Sequence, residues 1–384
     1  MTEAELRSRL LADPVPGEVE AGERSWALIR RAYGSHERKP WLERHSRAVL
    51  ALAAVAALGV AAVTPPGRAL VERFREAAGV TPSQPALVRL PAAGRVLVDS
   101  GQGPWVVKED GSKRRLGSYD AAAWSPSGRF VVATQGGDVI ALQPEDGEIR
   151  WTVPRPGPVG DARWAPSGYR IAYREGRTLR IVAGDSTNDR LFARGVTPVA
   201  PAWFPDASRN VLAYAEAGGR IRVVDVDTRF ELWSASFAGT VAQLAWSAEG
   251  SRLLVVGADG GARLYNRRGR EAGRFEHVTR AAYSPVGGTL AYATYDPETD
   301  SSSVRLVEDG RDRILFPGSG RFEDLAWSPN GRWLLVTWPA ADQWLFFRTP
   351  KVSGLVTVPN VRRSFDPGET GPVVFPRVSG WAPG

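Results

Sequence analysis

The chain has 384 residues, 43% of them hydrophobic, enough for a sizeable core, which excludes a wholly disordered polymer. It has no cysteine and three histidines, His36, His45 and His277, which excludes disulfides and thiolate-bound metals or cofactors. The net charge of +7 rests on singly scattered residues, nearly all arginine, so no nucleic-acid interface is expected.

Residues 1–47 read as a helical tail. Thr2 and Glu5 form a capping box ahead of Leu6 and Leu10, and a Pro-Gly break at 14–17 separates this helix from a second. In the second, Val19, Trp26, Ile29 and Tyr33 recur at helical spacing. That stripe packs on its neighbour or the membrane surface, or else docks a cytoplasmic protein partner, with Trp26, Ile29 and Tyr33 as the candidate contacts.

Residues 48–64, AVLALAAVAALGVAAVT, carry no charge and end at Pro65-Pro66. Their length lies at the lower edge of what spans a bilayer. A buried core helix would show a polar face, and a cleaved signal peptide would begin near the N-terminus, so a retained membrane anchor is the expectation. Arg30, Arg31, Arg38, Lys39, Arg44 and Arg47 precede the run and only Arg68, Arg73 and Arg75 follow closely. This asymmetry predicts a single-pass protein with a cytoplasmic N-terminus and the remainder outside. Residues 65–85 then read as a juxtamembrane linker.

From residue 86 to 384 the chain repeats itself, with many glycines and prolines marking turns. The copies are AAAWSPSGRFVVAT (121–134), DARWAPSGYRIAYR (161–174), PAWFPDASRNVLAYA (201–215), QLAWSAEGSRLLVVG (243–257), RAAYSPVGGTLAYAT (280–294) and DLAWSPNGRWLLVTW (324–338). Their anchors are Trp124, Trp164, Trp203, Trp246, Tyr283 and Trp327. A seventh, worn copy, VRLPAAGRVLVDS (88–100), lacks its aromatic, and a motif fragment, Trp381-Ala382-Pro383-Gly384, stands at the C-terminus.

Each unit of about 40 residues divides into four short strands. A four-stranded sheet this small cannot cover both its faces, so the copies must pack sheet on sheet and close into a ring. The expected fold is all-β, a seven-bladed β-propeller of four-stranded antiparallel blades, with each Trp filling the gap between blades. The C-terminal fragment is expected to pair with the first blade and lock the ring.

The W-S-P-x-G turn followed by an apolar strand resembles the repeats of TolB-type and WD-repeat-like bacterial propellers. The resemblance implies architecture more than activity, and the chain departs from TolB in lacking a preceding α/β domain.

Catalytic chemistry finds little support. His277 is the one histidine after the apolar run, and no G-x-S-x-G elbow accompanies it. The segments 137–154 and 219–236 resemble the repeats of quinone-cofactor propellers, a resemblance that implies Trp151 and Trp233 pack between blades in outer strands, but only two of the seven units show the pattern and no charged, metal-binding site accompanies it. Asp296, Glu298 and Asp300 alternate in a loop and could offer oxygens to calcium, but the loop lacks the glycine and distal glutamate of an EF-hand, and a solvated hairpin is the expectation. The expectation is therefore a membrane-anchored, non-enzymatic ligand- or protein-binding module without cofactor, using the propeller's loop faces. The alternative is an anti-sigma-like regulator acting through the tail, with a propeller hydrolase or quinoprotein behind it.

Overall fold

The computed structural model describes residues 89–349, 354–365 and 374–384. The expected tail, apolar span and linker, with Trp26, Ile29 and Tyr33, lie outside them. No helix among the described residues is long and apolar enough to cross a membrane.

Every strand in this region pairs antiparallel within one of seven four-stranded sheets. Blade 2 shows the pattern: an innermost strand Ala121–Trp124, then Val131–Gln135, Asp138–Leu142 and an outermost Ile149–Pro154. The innermost strands of blades 3 to 7 are Val159–Trp164, Ala202–Trp203, Val241–Trp246, Val278–Tyr283 and Leu325–Trp327. Blade 1 draws its innermost strand, Arg377–Ala382, from the far end of the chain. Neighbouring innermost strands touch all the way around, so the ring is closed.

The apolar pattern explains why the sheets stack. In blade 5 the second strand, Arg252–Gly257, alternates sides with its pleat. Leu253 and Val255 pack toward blade 4, while Leu254 and Val256 pack toward blade 6. A strand covered on both faces reads as the unbroken run LLVV. Seven such apolar clusters result, one in each gap between consecutive blades.

The W-S-P-x-G motif has a local cause. Ser125, Ser247 and Ser328 are buried, and each hydroxyl accepts the backbone N–H five residues later, that of Phe130, Arg252 and Trp333. The glycine of the motif takes the left-handed conformation, φ +71° at Gly128 and +66° at Gly331, which lets the chain reverse into the second strand.

The worn copy and the C-terminal fragment are two halves of one motif. Val96 lies opposite Trp381 and Arg95 opposite Ala382 in the closing pair, with a register shift between Leu97 and Val98. The aromatic missing from residues 88–100 is therefore Trp381, brought in from the other end. Gly94, at φ +123°, accepts this approach only because it has no side chain: a Cβ there would stand 2.5 Å from the Ala382 carbonyl oxygen and 2.8 Å from Trp381 Nε1.

Candidate functional site

The repeat aromatics lie in the gaps between blades. The indole N–H of Trp203 donates to the Arg163 carbonyl at 2.9 Å, that of Trp246 to Ala202 at 3.2 Å and that of Trp327 to Ala282 at 3.0 Å. In each case the acceptor is the residue just before the preceding blade's own aromatic. Trp124, Trp164 and Trp381 occupy matching strand ends, but their buried Nε1 atoms find no protein partner, nor does the Tyr283 hydroxyl. Burial pushes the Tyr283 phenol well above its ordinary range. Trp151 donates to the Gly184 carbonyl of the next blade at 2.8 Å, and Trp233 meets Trp246 and Tyr265 edge-on and tilted. These residues join blade to blade.

His277 sits at φ +57° in the turn entering its innermost strand, where its carbonyl accepts the Tyr295 N–H. In the 295–303 hairpin two carboxylates bond within the loop: Asp296 accepts the Glu298 N–H at 3.0 Å and the Thr299 hydroxyl at 2.8 Å, and Asp300 accepts the Tyr295 hydroxyl at 3.2 Å. No group of three or more potential metal ligands occurs among the described residues.

Polar networks that sequence reasoning missed stand on the outer halves of the blades. In blade 3, Tyr173 lies directly opposite Arg180, and both bond Asp189: the hydroxyl at 2.8 Å, the guanidinium at 3.1 Å. Arg155 of blade 2 reaches the same carboxylate at 2.6 Å. Blade 6 repeats the arrangement with Tyr292 opposite Arg305 and both on Asp312. Blade 4 varies it, Arg222 opposite Tyr214 taking Glu231 at 2.6 Å and Glu216 at 3.1 Å. Burial, reinforced by the neighbouring carboxylate, pushes the Tyr173 and Tyr292 phenols far up. Strong shifts of this kind often mark a reactive site. Recurrence at equivalent places in separate blades marks these as part of the blade's construction. The sequence signal was available: a tyrosine in the second strand with an arginine in the third, as in IAYREGRTLR.

No family model and no curated protein matches the chain. Solved structures do. One chain of a mitotic checkpoint complex superposes with a TM-score of 0.54 at 17% identity, over 71% of this chain and 96% of that one. The β-propeller domain of Myceliophteria thermophila Cps50 (Swd1) gives 0.50 at 18%, over 64% and 93%. The hydrazine synthase of Kuenenia stuttgartiensis gives 0.50 at 15%, over 60% and 76%. The chain has the WD40-like propeller fold. At these identities the likeness is one of architecture, and TolB-type kinship gains nothing from it.

The propeller presents two loop faces. One, built from turns between first and second and between third and fourth strands, carries the largest exposed aromatics: Tyr169 at 75% and Phe230 at 66% exposure. They rise from neighbouring blades, and an ion pair between Arg170 and Asp227 ties their turns together. Asn210 donates to the same Asp227 at 2.7 Å, Arg190 to the Val226 carbonyl at 2.9 Å and Arg229 to the Leu191 carbonyl at 3.0 Å. The result is a braced platform bearing two aromatic rings in water.

Proposed function

We propose that this chain is a non-enzymatic protein-binding module held at the membrane by residues 48–64, with its partner docking on the Tyr169 and Phe230 platform outside the cytoplasm. The observation that carries the binding role is the exposure of two large aromatics on turns already locked in place. Exposed aromatics on a rigid frame give contact area at little cost in conformational entropy, which is why such residues anchor interfaces. The WD40-like fold of the mitotic checkpoint complex chain and of Cps50 (Swd1) supports a scaffold role. The arginine excess before residue 48 supports the orientation.

A photo-crosslinking residue placed at 169 or at 230 of the full chain, in intact host cells, tests the reading. The same discrete protein adduct is expected from both positions and not from Arg194, on the outermost strand of blade 3. Equal labelling from all three positions, or no adduct from either aromatic position, would overturn it.

A further inference from the structure

The connection from blade 3 to blade 4 is longer than those on either side of it. It runs over residues 195–201, against 155–158 from blade 2 to blade 3, 237–240 from blade 4 to blade 5 and 276–277 from blade 5 to blade 6. Pro198 and Pro201 stand in it, and a proline has no N–H to offer a ladder. The innermost strand of blade 4 is accordingly cut to two residues, Ala202–Trp203.

Beside this connection lies an open cleft of about 490 Å³, lined by Arg174, Gly176, Arg177, Val196, Thr197 and Pro198. It belongs to the loop face opposite Tyr169 and Phe230, the face of the turns between second and third strands and of the connections between blades. Its walls are tied down. The Val196 N–H donates to the Arg177 carbonyl at 3.1 Å, and the Thr197 N–H and hydroxyl both donate to the Ala215 carbonyl of blade 4, at 3.0 and 3.2 Å. Arg174 is held twice, its Nε donating to Asp161 and its Nη1 to the Gly176 carbonyl, both at 2.7 Å, which leaves Nη2 free. Asp161 reaches it from a left-handed backbone, φ +57°, within the bulge between Gly160 and Arg163. Bulges re-aim side chains in this way.

The charges of the cleft do not balance. Asp161 offsets Arg174, and the neighbouring carboxylates are already paired: Glu175 with Arg155 and Arg180, Glu216 with Arg222. Arg177 is exposed and, among the described residues, its guanidinium has neither an ion pair nor a hydrogen bond. One uncompensated positive charge therefore stands beside the hydrocarbon of Val196, Pro198 and the two arginine stems. Over Gly176 the space is open, since a Cβ there would meet nothing within 4 Å.

We propose that this cleft binds a small monoanionic carboxylate with an apolar body, its oxygens on Arg177 and the free Nη2 of Arg174, its body against Val196 and Pro198. Guanidinium N–H groups match carboxylate oxygens, and the volume is that of a small-molecule site. A single unpaired charge favours a monoanion over a phosphate dianion. The site lies away from the aromatic platform and stands or falls separately from it.

Titration calorimetry on the purified full chain tests it, with phenylpropionate as the probe. Phenylpropionate is expected to bind saturably, while phenylpropanol, which lacks the charge, acetate, which lacks the body, and inorganic phosphate each bind about tenfold more weakly or worse. Arg177→Gln should weaken phenylpropionate by about tenfold or more, the loss typical of one charged hydrogen bond, and Arg177→Lys should recover part of it. Pro198→Asp, which sets a negative charge in the wall, should abolish binding. Arg268→Gln, an equal loss of charge in a turn of the opposite face, should change nothing. Without ligand, Arg177→Gln should melt with wild type. No saturable binding of phenylpropionate, acetate or phosphate binding as tightly as phenylpropionate, an affinity that survives Arg177→Gln, or an Arg177→Gln chain that melts well below wild type would each overturn the proposal.

Discussion

Six of the seven turns between innermost and second strands are continuous chain, and the seventh is assembled from two distant segments. In blades 2, 5 and 7 a buried serine closes the turn from within. At the split turn, Arg95 donates to the Gly128 carbonyl at 2.8 Å, pairs with Glu145 and lies over the Trp124 ring at 5.3 Å. Beside it the gap between blades 7 and 1 holds a cluster with Trp344, Phe346, Phe365, Phe375 and Trp381 buried together. The gap between blades 2 and 3 buries one aromatic, Tyr173, with Trp151 and Trp164 only partly covered. Side-chain packing does at the seam what the covalent chain does elsewhere.

The sharpest way to break that equivalence is to remove residues 377–384. Blade 1 then loses its innermost strand, leaves the edge of Arg95–Asp99 bare and uncovers the aromatic cluster. The ring is expected to lose cooperative unfolding, seen as a broad, early melt and rapid proteolysis. A truncated chain that melts sharply at the wild-type temperature would show that closure adds no stability.

A milder comparison uses two glycines with φ above zero. Gly168, in the continuous turn of blade 3, has nothing within 4 Å of the place a Cβ would take, so Gly168→Ala should cost only the backbone penalty of about 1 kcal/mol. Gly94→Ala must also push Ala382 and Trp381 away, and chemical denaturation should show at least twice that loss. Equal losses would mean the seam yields freely.

The smallest effect separates the repeat tryptophans from one another. Trp327→Phe gives up a part-buried bond to the Ala282 carbonyl, about 1 kcal/mol beyond the change in packing. Trp164→Phe surrenders no such bond and should fall short of it by that amount. Matched denaturation midpoints for the two variants would remove the distinction.

Much of this was readable in the sequence. Blade number and the strand order within a blade follow from repeat spacing and alternation, because those are properties of short stretches, and the resemblance to quinoprotein repeats implied the packing place of Trp151 and Trp233. The two halves of the split motif were each visible, but residues 88–100 looked worn because a sequence is read along one line and Trp381 lies at its other end. The Tyr173, Arg180 and Asp189 network depends on which residues face each other across strands, and register is set by turns and bulges that the spacing alone leaves open. The Tyr169 and Phe230 platform depends on blades that meet only after the ring has formed.

The seam also sets a timetable. Arg95 and Pro383 are 288 positions apart, whereas a continuous turn joins neighbours in the chain. Closing a loop of that length instead of one blade costs about 2 kcal/mol more in chain entropy and slows the event that completes the fold. As the chain is synthesised, blades 2 to 6 have all their strands well before residue 377 exists, while blade 1, made first, waits with three strands. The oldest part of the propeller is thus the last to mature, and a ribosome that stalls late yields a molecule with most of its blades present and its first edge still open.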